Sequence, residues 1–208
     1  MNVIESTTAI RSDMAIMDGS FREACADGDA ELIEQLLKLG VRNRSWAARF
    51  AARRDQRHIV DQAIELEPGT IEEAAIGAAE GDQKALVEYL LTKGANNLDE
   101  MAIHAAGCGH KELVDYLIVR GARDYVKMAA NAASTGEWRI VQAILAAHQL
   151  SAADYQYITE EAAHLDQLDI VDKMISQYEL TNYDRLLALL PSQASQQLID
   201  KIGKRINC

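Results

Sequence analysis

Paired large apolar residues recur every 27 positions along most of this chain, and that spacing limits its fold more than any other feature. Leu32-Ile33, Ile59-Val60, Leu86-Val87, Leu113-Val114 and Ile140-Val141 follow at that interval, and Ile170-Val171 comes after 30. Four residues beyond each pair stands a second: Leu36-Leu37, Ala63-Ile64, Leu90-Leu91, Leu117-Ile118, Ile144-Leu145 and Met174-Ile175. Apolar residues at i, i+1, i+4 and i+5 form one buried stripe on a helix. Eight residues before each first pair lies a pair of small residues: Ala24-Cys25, Ala51-Ala52, Ala78-Ala79, Ala105-Ala106, Ala132-Ala133 and Ala162-Ala163. Small side chains let two helix backbones approach closely. Each unit therefore reads as helix, tight turn, helix, short loop.

One such unit cannot fold alone. Its four large apolar side chains contribute about 1.5–3 kcal/mol each on burial, while ordering each residue costs about 1–2 kcal/mol in backbone entropy. The units must therefore share faces, which predicts an all-α chain stacked into one continuous α-solenoid of about six repeats over residues 18–178. Only two prolines and an alanine- and leucine-rich composition with 5% aromatics fit that expectation.

The polar turn inside each unit is expected to carry a residue with positive φ at Gly28, Gly81, Gly109 and Gly136, with Asp55 and Asp166 holding that place in the second and sixth units. Gly40, Gly94 and Gly121 are expected to end second helices. Residues 1–17 form an expected N-terminal cap or flexible segment, with a short helix around Ala9–Met17. Residues 179–208 read as a degenerate capping repeat, with helices over Tyr183–Leu190 and Ser195–Ile206 separated by Pro191. Gln193, Gln196 and Gln197 would give it a polar surface.

The run Ala105-Ala106-Gly107-Cys108-Gly109-His110-Lys111-Glu112-Leu113-Val114-Asp115-Tyr116-Leu117-Ile118-Val119-Arg120-Gly121-Ala122 resembles the core of an ankyrin repeat. Ala78–Ala95 and Ala24–Gly40 are similar to it. The family's Thr-Pro-Leu-His opening is absent, since Ala102-Ile103 stands where its Leu-His would fall, and the period is shorter than the usual ~33 residues. The resemblance thus implies an ankyrin-like solenoid with trimmed loops, whose first helices line a concave side and serve as the contact surface for a partner protein. Stand-alone ankyrin-like chains also resemble those that intracellular bacteria and large viruses direct at host proteins. Delivery into a host cytosol is therefore one implied location, and the cytoplasm of the source cell is the other.

A formal net charge of -11 repels nucleic acid and anionic membranes, so neither is the expected partner. No apolar run approaches the ~18 residues that span a bilayer, and no secretory leader is visible in Met1–Met17. Cys25, Cys108 and Cys208 have no metal-type or disulfide-framework spacing, which points to a reducing compartment. A monomer without cofactor or metal is expected.

Taking the small pair, and the residues three to four places before it, as facing inward leaves the remaining first-helix positions for a partner. Those chosen are Trp46, Arg49, Phe50, Arg53 and Arg57 in the second unit, Ile103 and His104 in the fourth, Asn131 in the fifth and Glu160 in the sixth. Six arginines (Arg42, Arg44, Arg49, Arg53, Arg54, Arg57) lie between positions 42 and 57 with one acidic residue, Asp55. Trp46, Arg49, Phe50, Arg53 and Arg57 fall at i, i+3, i+4, i+7 and i+11, along one helical face. Aromatics between guanidinium groups are typical of interface hot spots, and arginines can grip carboxylates or phosphates in bidentate fashion. The patch is thus expected to anchor an acidic or phosphorylated segment. In the competing reading the arginines neutralise neighbouring acidic repeats while Trp46 and Phe50 pack between helices. Glu160, Glu161 and Asp166 would give the far end of the groove the opposite sign.

Nothing in the sequence assembles catalytic chemistry. No two of the five histidines share a helix at i, i+4. His104 and Cys108 are four apart, but no oxyanion hole or orienting third group accompanies them. Gly107-Cys108-Gly109-His110 lacks the strand and the Lys-Ser or Lys-Thr of a phosphate loop. The expected function is non-catalytic protein binding, as an adaptor, inhibitor or effector. An anion or nucleic-acid binder using the same arginines is the alternative, and an unrecognised enzyme is the more remote one.

Overall fold

In a computed structural model of the chain, the described residues are 19–206 apart from Arg22, Ala26, Arg42 and Gln193. The anticipated N-terminal cap and Cys208 lie outside them. Every regular element among the described residues is helical. Helix α1 has its described turns at 19–21, 23–25 and 27. There follow α2 (Ala30–Lys38), α3 (Arg44–Arg53), α4 (Arg57–Leu66), a 3₁₀ turn (Pro68–Thr70), α5 (Ile71–Glu80) and α6 (Lys84–Lys93). Next come α7 (Leu98–Gly107), α8 (Lys111–Arg120), α9 (Tyr125–Ser134), α10 (Trp138–Ala147), α11 (Ala152–His164) and α12 (Leu168–Gln177). The last pair is α13 (Tyr183–Leu189) and α14 (Gln196–Ile206).

The spacing of apolar pairs becomes burial as anticipated. Ile33, Ile59, Val60, Val87, Leu113, Val141, Ile170 and Val171 are in the core, and so are both members of every small pair from Ala24-Cys25 to Ala162-Ala163. The single 30-residue interval has a local cause. α11 begins 27 residues after α9 but runs to 13 residues where α9 has 10, so three added residues lengthen that first helix alone.

The turn inside each repeat is one bond made six times. The backbone N–H at the start of the second helix donates to the carbonyl of the first small residue five positions back. These bonds are Asp29 to Ala24, Gln56 to Ala51, Gln83 to Ala78, His110 to Ala105, Glu137 to Ala132 and Gln167 to Ala162, all within 2.8–3.0 Å. This six-to-one closure demands a left-handed residue just before it. Gly28, Asp55, Asp82, Gly109, Gly136 and Asp166 fill that place, with φ between 56° and 90°. One expectation is corrected: Asp82, not Gly81, is left-handed in the third repeat, and Gly81 has a φ of -94°. The same closure ends α2, α6 and α8, where Val41, Ala95 and Ala122 bond back to Leu36, Leu90 and Leu117 past Gly40, Gly94 and Gly121.

The chain divides into two compact units, Met1–Asn97 and Leu98–Cys208, with the boundary between the third and fourth repeats. In the first unit α3 packs on α5, each against its own second helix (α4 or α6), while α2 adjoins α4. In the second unit the first helices α7, α9, α11 and α13 adjoin in chain order, and each pairs with the helix that follows it. Helix α14 buries Leu198 and Ile202 with basic residues in its last turn.

Candidate protein-interaction surface

The second repeat separates its arginines instead of gathering them. α3 opens at Arg44 and ends at Arg53, and the turn at Arg54–Gln56 intervenes before α4 opens at Arg57. The expected single face from Trp46 to Arg57 is therefore corrected. Arg57 belongs to the second-helix side, where its guanidinium lies 3.5 Å from the centroid of the Tyr89 ring. Asp61 receives the Tyr89 hydroxyl at 2.6 Å and stands 3.9 Å from Arg57. That cluster ties α4 to α6.

Arg49 is turned to the neighbouring first helix. Its Nε and Nη2 donate to Glu80 and its Nη1 donates to Glu73 at 3.1 Å, with 29% of its side chain exposed. The hydrogen bond to Glu80, against the cost of burial, holds this guanidinium's proton more firmly than usual, and Glu73 adds to it. Arg44 stands 3.6 Å from Glu67, and Arg54 donates to the Cys25 carbonyl at 3.2 Å. Arg53 is exposed and makes no ion pair with another described residue. Arg42 lies outside the described residues. Arg49 thus meets carboxylates of the next repeat, as the reading that competed with the anchor held, while Arg44 and Arg57 stand near carboxylates of their own repeat.

The aromatic pair does reach the surface. Trp46 is 47% exposed and Phe50 half-buried, their ring centroids 5.9 Å apart at 37°. With Ser45, Arg49 and Glu73 they line a depression of about 320 Å³. Its walls are fixed because α3 and α5 touch backbone to backbone. A Cβ on Gly77 would come 2.0 Å from the Arg49 carbonyl oxygen, and one on Gly81 would come 2.1 Å from that of Arg53. Only glycine permits this approach.

The chosen residues of the second unit play different parts. Asn131 on α9 donates its amide to the Ile103 carbonyl of α7 at 2.8 Å, so it is a strut between helices. Ile103 and His104 are half-buried on α7, and the His104 carbonyl accepts the Cys108 N–H at 3.1 Å. Glu160, expected on an open face, is corrected. It is 5% exposed, accepts the Gln156 amide at 2.7 Å, and meets Arg185 of α13 at 2.9 Å. Three places before the second residue of the small pair, Glu160 sits at the packed seam between first helices. Arg49 holds the corresponding place in its own unit. That rule marks both as seam positions.

The sequence reading did not pair Arg49 with Glu73 or Glu80, although the repeat carries the signal. They follow Arg49 by 24 and 31 residues, which is one period less three and one period plus four. Those are the two positions on the adjacent helix that flank a residue's equivalent. Among the described residues no group of three His, Cys, Asp or Glu side chains is placed to hold a metal, and no helix is long and apolar enough to cross a membrane. No protein-family model matches the chain, and no curated protein matches it.

Proposed function

We propose that this chain is a non-catalytic protein-binding module of short-loop, ankyrin-like repeats, and that it captures a partner on the first-helix face of its first unit. The observation that carries the reading is Trp46. A large aromatic that stays 47% exposed beside Phe50, above a rigid depression, has the composition and setting of an interface anchor. The repeated six-to-one turns and the glycine-ended second helices support the ankyrin-like part of the reading. The short connections leave helices, not loops, to make contact. Capture of an acidic segment has less support than the sequence suggested, because Arg44, Arg49 and Arg57 already face carboxylates of the same unit.

The test is affinity capture from the cell type that expresses the chain, run in parallel with the intact protein and Trp46→Ala. The expected result is a protein retained by the intact chain and lost with Trp46→Ala at an unchanged melting temperature. Equal retention by both would overturn the assignment of the anchor, and a chain that retains nothing specifically would overturn the binding reading.

A further inference from the structure

We infer that the groove between α8 and α10 receives a tyrosine side chain from a partner protein. This surface lies on second helices of the second unit, so it goes beyond the Trp46 reading and does not depend on it. The first unit supplies the template. Tyr89 of α6 donates its hydroxyl to one oxygen of Asp61 on α4 at 2.6 Å, and the other oxygen of Asp61 faces Arg57 at 3.9 Å. Arg57 and Lys93 meet the Tyr89 ring at 3.5 and 5.3 Å from its centroid. Two periods on, Lys111 and Asp115 of α8 stand at the places of Arg57 and Asp61, while Tyr89 gives way to Ala143 and Lys93 to Ala147 on α10. The acid is kept and the phenol is not.

The place that Tyr89 fills in the first unit is here an open groove of about 210 Å³. Val114 and Ile118 of α8 and Ile140, Ala143, Ile144 and Ala147 of α10 make its walls apolar. It is smaller than the ~300 Å³ at which small-molecule sites begin, and suits one aromatic side chain. Lys111 donates to one oxygen of Asp115 at 2.6 Å. The other oxygen takes no hydrogen bond from another described residue, and 56% of the side chain is exposed. An incoming phenol would bury its ring against the walls and donate its hydroxyl to that oxygen, as a ring with one polar tip can. Phenylalanine would leave the oxygen unmet, and phosphotyrosine would bring its negative charge to a carboxylate. Val119, 84% exposed at the rim, adds an apolar contact for the partner's chain. The next pair of second helices is closed differently, with Lys173 of α12 5.4 Å from the Trp138 ring centroid of α10. Tyr157 is the one exposed tyrosine among the described residues, and it sits on a first helix. A second copy offering it would make a head-to-tail contact and not a closed dimer. A different protein is therefore the occupant.

The test follows the Ile140 and Ile144 methyl signals of the full chain by NMR. Short Gly/Ser peptides that differ only in one central residue are titrated in. The tyrosine peptide is expected to shift both signals and to bind about tenfold tighter than the phenylalanine peptide, the size of a hydrogen bond to a charged group. The phosphotyrosine peptide is expected not to bind. Asp115→Ala is expected to erase the difference between tyrosine and phenylalanine. Ala143→Tyr, which fills the groove from within, is expected to abolish binding, and Trp46→Ala to leave it unchanged. If Ala143→Tyr does not fold, Asp115→Ala decides, because its exposed site leaves folding intact. Equal binding of the tyrosine and phenylalanine peptides, or a preference that survives Asp115→Ala, would overturn the inference. So would a titration without shifts at Ile140 and Ile144, or a loss with Trp46→Ala, which would place the peptide elsewhere. Binding of N-acetyl-tyrosinamide but not of the tyrosine peptide would assign the groove to a small phenol and overturn the partner. Self-association in sedimentation that Ala143→Tyr abolishes would assign it to a second copy, with the same result. The capture experiment judges the Trp46 surface separately.

Discussion

Arg49 grips Glu80 through two nitrogens, Nε to one carboxylate oxygen and Nη2 to the other, across the seam between α3 and α5. Paired, planar contacts of this kind are the strongest that side chains make. Because less than a third of the arginine side chain is exposed, solvent screens the pair only in part. Arg49→Glu places three carboxylates together at the seam and is expected to cost about 2–4 kcal/mol, seen as a lowered denaturation midpoint. Arg53→Glu, on the open side of the same helix, is expected to change stability by less than about 0.5 kcal/mol. Equal effects at the two positions would mean that the seam contact contributes nothing.

The closeness of α3 and α5 gives a second expectation. A methyl group at Gly77 or Gly81 collides with backbone, which cannot swing aside as a side chain does. Gly77→Ala and Gly81→Ala are each expected to cost at least about 3 kcal/mol. Gly203, inside α14 with nothing within 4 Å of an added Cβ, is the opposite case. Gly203→Ala is expected to stabilise by about 0.5–1 kcal/mol through helix propensity. Chemical denaturation of the three variants measures all of this, and a neutral Gly77→Ala would refute the backbone contact.

Much of the helical architecture was legible because packing is periodic. The apolar and small pairs mark the buried faces, and burial follows them from Ala24 to Val171. The turn in the third repeat shows where local chemistry misleads. Glycine is the expected left-handed residue, so Gly81 attracts the assignment, whereas the 27-residue interval points to Asp82. Periodicity wins because the turn's position is fixed by the helices on either side of it. Gly81 answers a different need, the approach of α5 to Arg53. The site was less legible, because charge was read along one helix while the structure pairs charges across repeats. Arg49 finds Glu73 and Glu80 in the next repeat, and Glu160 finds Arg185. The exposure of Trp46 was within reach of the sequence, and so, as the competing reading, was the engagement of its neighbouring arginines, but not which carboxylates they meet.

The aspartate turns can be tested directly. Asp55, Asp82 and Asp166 hold φ near +57°, a conformation glycine adopts without cost and branched residues resist. Asp82→Gly is expected to raise stability slightly, by about 0.5 kcal/mol, and Asp82→Val to lower it by about 1–2 kcal/mol. Thermal melts of the pair would exclude a left-handed turn if valine were tolerated as well as glycine.

Cys25 and Cys108 should differ in reactivity by orders of magnitude. Cys25 is fully buried, and burial pushes its thiol up to about 11, with Arg54 acting weakly in the other direction. At pH 8 roughly one molecule in a thousand then carries the thiolate that reacts. Cys108 is exposed in its turn. Peptide mapping after brief alkylation is expected to find Cys108 labelled and Cys25 at least 100-fold slower until denaturant is added. The same shift affects stability. The unfolded chain loses this proton near 9 while the folded chain keeps it to about 11, so the unfolded state binds fewer protons in that window. Stability is therefore expected to be intact below pH 9 and to fall as pH rises toward 11. Cys25→Ala should remove that part of the decline. If the variant declines as steeply as the intact chain, the alkaline loss arises elsewhere.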